Sequence, residues 1–261
     1  VLNSRATVSE FIFDSVSAMA KGNFSILSPT PDLQDVKGVH DFRVEIRRLR
    51  SVLGSCISLL DPTWGKNYLD ELRWVDEVIS PVRNVQALLD RFSSYPDSIR
   101  IRNDQLSELL REDLKKCQMQ LQLGLTLPTF QQFLSFLNFE TQESIPCSHS
   151  NELVINYLER FNATAWRTLS KAAVKADEDD LHEVRIKAKK VKYLAEASIP
   201  VIGNSLKNHA KIAAKIQTTL GYLQDSKMMT ASANSFEILE YEKRQRKQIK
   251  NDWKKFVKRN F

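Results

Sequence analysis

Val39-His40-Asp41-Phe42-Arg43-Val44-Glu45-Ile46-Arg47-Arg48-Leu49-Arg50 sets one histidine and four arginines among spaced apolar residues, a pattern that fits a helix. Leu181-His182-Glu183-Val184-Arg185-Ile186-Lys187-Ala188-Lys189-Lys190-Val191-Lys192 repeats it position by position. In each copy an acid follows the histidine, then an apolar residue and an arginine, with cations again seven, eight and ten places beyond the histidine. The offset is 182 − 40 = 142 residues. A duplicated charge pattern inside a duplicated apolar pattern points to two related helical halves.

On a helix turning about 100° per residue, with His40 at 0°, Arg43, Arg47 and Arg50 fall near roughly 300°, 340° and 280°. Phe42, Ile46, Leu49 and Leu53 occupy about 180° to 240°, directly alongside, while Glu45 lies farther round and Arg48 near roughly 80°. The second copy groups His182, Arg185, Lys189 and Lys192 beside Val184, Ala188, Val191 and Ala195. Cations opposite an apolar face are simply solvated, which is the common case. Cations bordering that face sit at the edge of the core, poorly hydrated and mutually repelling, and they require anions. Few acids accompany the stripes, so the expectation is an external, multiply charged, repetitive anion held between two facing helices. Arginine forks bind phosphate oxygens bidentately, and lysine adds a mobile point charge. Histidines among cations near a helix N-terminus are expected to have lowered pKa values in the empty site.

At 261 residues the chain can bury a substantial core, and a hydrophobic fraction of 42% argues against intrinsic disorder. No run approaches the roughly 18 to 20 apolar residues that span a bilayer, and the composition is that of a soluble protein. Cys56, Cys117 and Cys147 are odd in number and widely spaced, and read as free thiols in a reducing compartment, with a disulfide or zinc site as the minor alternative. The formal charge of +6 is concentrated at one end: Glu237–Phe261 holds nine Lys/Arg against four Asp/Glu, so 9 − 4 = +5 lies there. The remainder is nearly neutral, and any strong anion site in it depends on how its charges are gathered.

Apolar spacing predicts helices over Arg5–Lys21, Asp35 to about Leu60, Gly65–Ile79, Pro81–Phe92, Ile99–Gln122, Phe130–Phe139, Leu153–Val174 and about Leu181–Ser198. Pro62 is expected to stop the first basic helix, and Pro81 to sit at the N1 position of a new one. Asp35 is the expected N-cap of that basic helix. A further helix leads into Leu220-Gly221-Tyr222-Leu223-Gln224-Asp225, and a final long one is expected from Met228 into the basic tail. Thr141–Asn151, polar and containing Pro146, is the natural link between halves. Two more landmarks recur in order: Pro62-Thr63-Trp64-Gly65 with Pro200-Val201-Ile202-Gly203 (200 − 62 = 138), and Asn84 with Asp225 (225 − 84 = 141). No convincing set of alternating strands appears. The expected fold is therefore all-α, two pseudo-symmetric antiparallel helical bundles from an internal duplication.

These motifs, with Arg83-Asn84 and Leu220 to Asp225, resemble those of the CHAD family, the conserved histidine α-helical domain, over about Arg5 to Phe256. The resemblance implies one domain over 1–261, with halves 1–140 and 150–261 around a basic central cavity. It implies inorganic polyphosphate as ligand, no catalysis, no cofactor and no membrane partner. It also implies an intracellular setting at polyphosphate granules, alone or with a fused or associated polyphosphate-metabolising protein such as a triphosphate-tunnel domain. The binding residues it implies are His40, Arg43, Arg47, Arg48 and Arg50 in the first motif and His182, Arg185, Lys189, Lys190 and Lys192 in the second. Arg48 and Lys190 lie off the stripe and are assigned to its rim. Arg83 matches the arginine of a family Arg-Asp element in which Asn84 replaces the acid, and Arg73 and Lys215 (215 − 73 = 142) are secondary members.

An enzyme acting on phosphate chains needs metal-binding carboxylates or an activated nucleophile, and neither is recognisable. Glu240-Tyr241-Glu242-Lys243-Arg244 has the letters of a tunnel-phosphatase E-x-E-x-K motif, but on a helix the two glutamates diverge by roughly 200°. There is no phosphate-binding G-x-x-x-x-G-K-[ST] loop. His149 reads as linker and His209 as surface. The competing function is a nucleic-acid or acidic-protein binding module using Lys243–Arg259, with Trp253 and Phe256 as stacking groups, although core packing is the expected role of both aromatics.

Overall fold

The computed structural model describes residues 8–20, 35–137, 154–177 and 179–261, and no β-strand occurs among them. The first half contains α1 (Val8–Ala20), α2 (Val36–Cys56), α3 (Pro62–Ser93), α4 (Asp97–Arg102), α5 (Asp104–Leu125) and α6 (Pro128–Leu137). The second contains α7 (Val154–Lys175), α8 (Leu181–Ile202), α9 (Lys207–Ser232) and α10 (Phe236–Asn260). α2 packs on α1 and α3, and α3 on α5; in parallel, α8 packs on α7 and α9, and α9 on α10. Across the halves α2 meets α8 and α3 meets α9. The two basic helices are therefore counterparts that lie against each other at the centre of the duplication.

Apolar periodicity puts them there. Asp35 caps α2, its carboxylate accepting from the Gly38 amide at 2.8 Å, as its residue type and position led one to expect. Phe42, Ile46, Leu49 and Leu53 are buried on one face of α2, and Val184, Ala188, Val191 and Ala195 on one face of α8. Each large apolar side chain so buried stabilises the fold by about 1.5 to 3 kcal/mol. One core joins α2 and α3 to Leu194 and Val201 of α8, and a second joins Val184, Ala188 and Val191 to Ile216, Leu220 and Trp253. α8 is thus shared between both cores.

The prolines depart from the sequence expectation. α2 ends at Cys56 and passes through a 3-10 turn; Pro62 then opens α3, whose first turn is capped by Asp61 through the Trp64 amide at 2.8 Å. α3 continues unbroken through Pro81. An internal proline costs about 3 kcal/mol or more, but Val75, Ile79 and Val82 keep one apolar face buried on both sides of it, and that packing prevails. Pro200 likewise lies inside α8, which ends at Gly203 with φ 94°. The two P-x-x-G segments are consequently not equivalent: one opens a helix and the other closes one. Offsets of 141 and 142 carry the duplication, and 138 does not.

Other boundaries shift as well. The expected Ile99–Gln122 helix divides at Asn103 into α4 and α5, and α9 runs past Met228 to Ser232 before α10 begins. The expected link over 141–151, Cys147 and His149 lie outside the described residues. Cys56 is buried and Cys117 half-buried.

One polar anchor ties α10 to the first half. Arg91 donates from Nε to Glu242 at 2.6 Å and from Nη2 to the second carboxylate oxygen, and the Tyr95 hydroxyl donates to the same group. Glu242 is completely buried, while Glu240 is half-buried and pairs with Lys243, so the two glutamates do diverge on the helix. Glu242→Ala leaves the Arg91 guanidinium without its anion and is expected to destabilise the fold by about 3 to 5 kcal/mol in urea unfolding. Glu240→Ala is expected to cost about 1 kcal/mol at most; equal losses in the two variants would refute the anchor.

Candidate functional site

Asp76 of α3 organises the first-half cations. Its carboxylate accepts from Arg43 Nε and Arg47 Nε, each at 3.1 Å, and from Arg50 Nη1 at 2.7 Å. Side-chain exposure is 11% for Asp76 and rises through 15%, 25% and 33% along Arg43, Arg47 and Arg50. The stripe therefore does border the core. Arg43 Nη2 also donates to Ser80 Oγ at 2.7 Å. The stripe has few acids of its own, as expected, but one comes from the neighbouring helix. One carboxylate nonetheless faces three guanidiniums.

The second-repeat cations enter the same field. Burial pushes the Lys189 ammonium down to about 7, and Arg185, Arg47 and Arg43 push in the same direction against Asp76. Arg43 is lowered to about 10 by burial and then Arg47, with Asp76 opposing, and remains a cation at neutral pH. Arg185 is lowered by burial and Arg47, opposed by Asp225. Arg83 is lowered by burial and Arg47, opposed by Asp90 and Asp225; its Nη1 donates to Gln86 at 2.7 Å. The Nε atoms of Arg83 and Arg185 are both buried without a hydrogen-bond partner among the described residues. Around these cations the Asp225 carboxyl is itself raised by burial, with Arg185, Arg91 and Arg83 opposing. His40 is lowered by loss of water at its ring and then by Arg83, Arg43 and Arg47, with Asp41 opposing. Arg43, Arg47 and Arg83 of one half thus converge electrostatically with Arg185 and Lys189 of the other.

The remaining candidates are placed differently. Arg48 donates to Glu45 at 2.5 Å and to Glu196 at 3.3 Å, joining α2 to α8. Arg73 is exposed and pairs with Asp70 at 2.9 Å. Lys190 is exposed and lines a cleft with Gly54 and Arg160. Lys192 lies 5.2 Å from the Tyr193 ring centroid, and exposed Lys215 5.5 Å from that of Phe256. His182 is exposed in the first turn of α8 and lines a cavity with Arg185. His209 is no plain surface residue: it is half-buried and stacked on Trp166 with centroids 4.1 Å apart. Trp253 is buried in the second core and Phe256 packs beside it, as expected for a terminal helix.

Asp76 and Asp225 are not repeat equivalents. At the 141 offset Asp76 corresponds to Gln217, which bonds Tyr193, and Asp225 corresponds to Asn84. Each half supplies one central acid, at a different place. The sequence around Asp76 carries no signal for this role, since Glu77 follows it directly and neither position at the repeat offset is an acid.

A duplicated all-helical fold with basic counterpart helices against each other defines the class. A family model described as CHAD domain matches residues 27–233, and the chain belongs to that family. The structure is similar to PptA from Streptomyces chartreusis, with TM-score 0.76, 14% identity, and coverage of 97% of this chain and 99% of that one. It is also similar to the crystal structure of the CHAD domain from the plant Ricinus communis, with TM-score 0.66, 18% identity and coverage of 95% and 87%. At these identities both likenesses concern the fold. No curated protein matches the chain.

Asp76→Asn removes the shared anion while preserving shape. It is expected to destabilise the protein by about 3 to 5 kcal/mol, because three guanidiniums lose their counter-ion together. A variant as stable as wild type would show that Asp76 is incidental.

Proposed function

We propose that the chain is a non-catalytic binding module for inorganic polyphosphate, held where α2 and α8 meet. The observation that carries this reading is the setting of Lys189, whose ammonium is destabilised jointly by burial and by arginines of both repeats. A site that makes its own cations costly is relieved by an incoming anion, and charge drawn from two opposed helices suits a linear, repeating one. Family membership supports the reading, as do the guanidinium forks of Arg43, Arg47, Arg83 and Arg185. His40, Arg50 and His182 extend the charged surface outward; Lys192 and, more distantly, Lys190, Arg73 and Lys215 would meet the ends of a long chain.

Calorimetry with polyphosphates of graded length, ATP and duplex DNA at equal phosphate concentration tests this. Lys189→Met should weaken long-chain binding about ten- to a hundred-fold, the worth of one or two charge-assisted hydrogen bonds. The charge-reversed Arg47→Glu/Lys189→Glu variant should abolish it while circular dichroism stays helical. Displacement of polyphosphate by duplex DNA would instead favour a nucleic-acid module built on α10.

The pH dependence has a definite sign. Lys189 is half deprotonated near neutral pH when the site is empty, and a bound polyanion raises its pKa. Binding therefore takes up a proton: affinity should be flat below about pH 7 and fall as pH rises above it. Calorimetry in buffers of different ionisation enthalpy should detect this uptake in wild type and lose it in Lys189→Met.

A further inference from the structure

We propose that α10 completes a second phosphate subsite, into which a chain bound at the central cluster continues; this rests on the polyphosphate reading above. A cavity of about 360 Å³ lies between α8, α9 and α10. His182 and Arg185 reach it from α8, Lys227 and Thr230 from α9, and Arg246 and Lys250 from α10. A carboxylate, Asp179, also lines it, so cations exceed acids in the lining.

Three features mark this as a built anion site. Arg246 is oriented by neutral groups, donating from Nη1 to Ser226 Oγ at 3.1 Å and to Thr230 Oγ1 at 3.4 Å, and it forms no ion pair among the described residues. Its positive charge is therefore fixed in place without being neutralised. Arg185 carries a buried Nε with no hydrogen-bond partner among the described residues. Arg246 and Lys250 are four residues apart, one turn along the same face of α10, a spacing suited to successive groups of a linear anion.

Arg185 belongs to both places. It lines this cavity and feels the charge of Arg47 in the central cluster, so one side chain is common to both sets of cations. Among the described residues no Phe, Tyr or Trp lines the cavity, so its cations and not aromatic stacking dominate what it can hold, which suits phosphates. The CHAD match ends at residue 233 and α10 begins at Phe236, so Arg246 and Lys250 lie outside the matched region. The concentration of charge in the last helix acquires a specific role: its inward basic residues extend the site, and its outward ones do not.

The test compares Arg246→Ala/Lys250→Ala with Lys254→Ala/Lys258→Ala, a charge-matched pair on exposed positions of the same helix. Long-chain polyphosphate binding is measured across a salt series, with Lys227→Ala as an independent lining variant on α9. The α10 cavity pair should weaken binding about ten-fold or more and lower the slope of log affinity against log salt by about 1.4, two contacts at roughly 0.7 each. Lys227→Ala should lower it by about half as much, and the exposed pair should leave it near wild type. In parallel, tripolyphosphate should shift the His182 ring signals of wild type but not of the cavity pair. Equal effects of the cavity and exposed pairs, with wild-type binding intact, overturn the subsite and leave the central reading standing. Wild type that ignores long chains while tripolyphosphate still moves His182 in an Arg246-dependent way overturns the central reading and keeps the subsite. Absence of both responses overturns both.

Discussion

The hold of Asp76 on Arg43, Arg47 and Arg50 is the interaction on which the basic centre depends. A carboxylate at 11% exposure is tolerable only because guanidiniums surround it, and half-buried guanidiniums are tolerable only because that carboxylate is there. The pair of helices α2 and α3 can then close with charge inside the seam. Packing alone would have closed them equally well with apolar groups. What the ionic version adds is a surplus of positive charge held rigidly at the edge of the core, since three cations share one anion.

The second half resolves the same problem with different residues. Neither Gln217 nor Thr218, 141 and 142 residues beyond Asp76, is an acid, and Asp225 appears where the first half has Asn84. Asp225 faces Arg185 of its own half and Arg83 of the other, so the acids cross-brace the halves. Lys189, the counterpart of Arg47, is left with cations as its principal neighbours and Asp76 as a weaker opposing influence. The duplication is therefore symmetric in its helices and asymmetric in its electrostatics. That asymmetry concentrates the strain on one ammonium, the group best able to lose its proton when no anion is present.

Much of this was legible in the sequence, because a helix converts spacing into direction. The all-α fold, the equivalence of the two motifs and the border position of Arg43, Arg47 and Arg50 all follow from 3.6-residue periodicity. Asp76 was not legible by that route: it lies 26 to 33 residues beyond its partners, and only the docking of α3 on α2 brings it home. Glu242 was missed for the same reason, its partners Arg91 and Tyr95 lying 151 and 147 residues earlier. Pro81 and Pro200 misled because local propensity favours a break, whereas burial on both sides of each proline keeps the helix whole. Arg48 was placed away from the stripe correctly by angle, but its bond to Glu196 needed the contact between repeats.

The lowered pKa of Lys189 also ties stability to pH. Its folded-state value, about 7, lies below the ordinary 10.5, so the unfolded chain binds more protons between these limits. Its contribution to stability accordingly rises with pH across that window, and the cost of holding the charged form is fully present below it. An anion entering the site acts oppositely, favouring the charged form and removing that cost. The empty fold is thus penalised most at neutral pH and below, where the proposed polyanion would be bound best. A scaffold whose cores are apolar, with α8 shared between them, can carry such a penalty without losing its shape, because burial of Val184, Ala188 and Val191 holds α8 in place whatever the charge on Lys189.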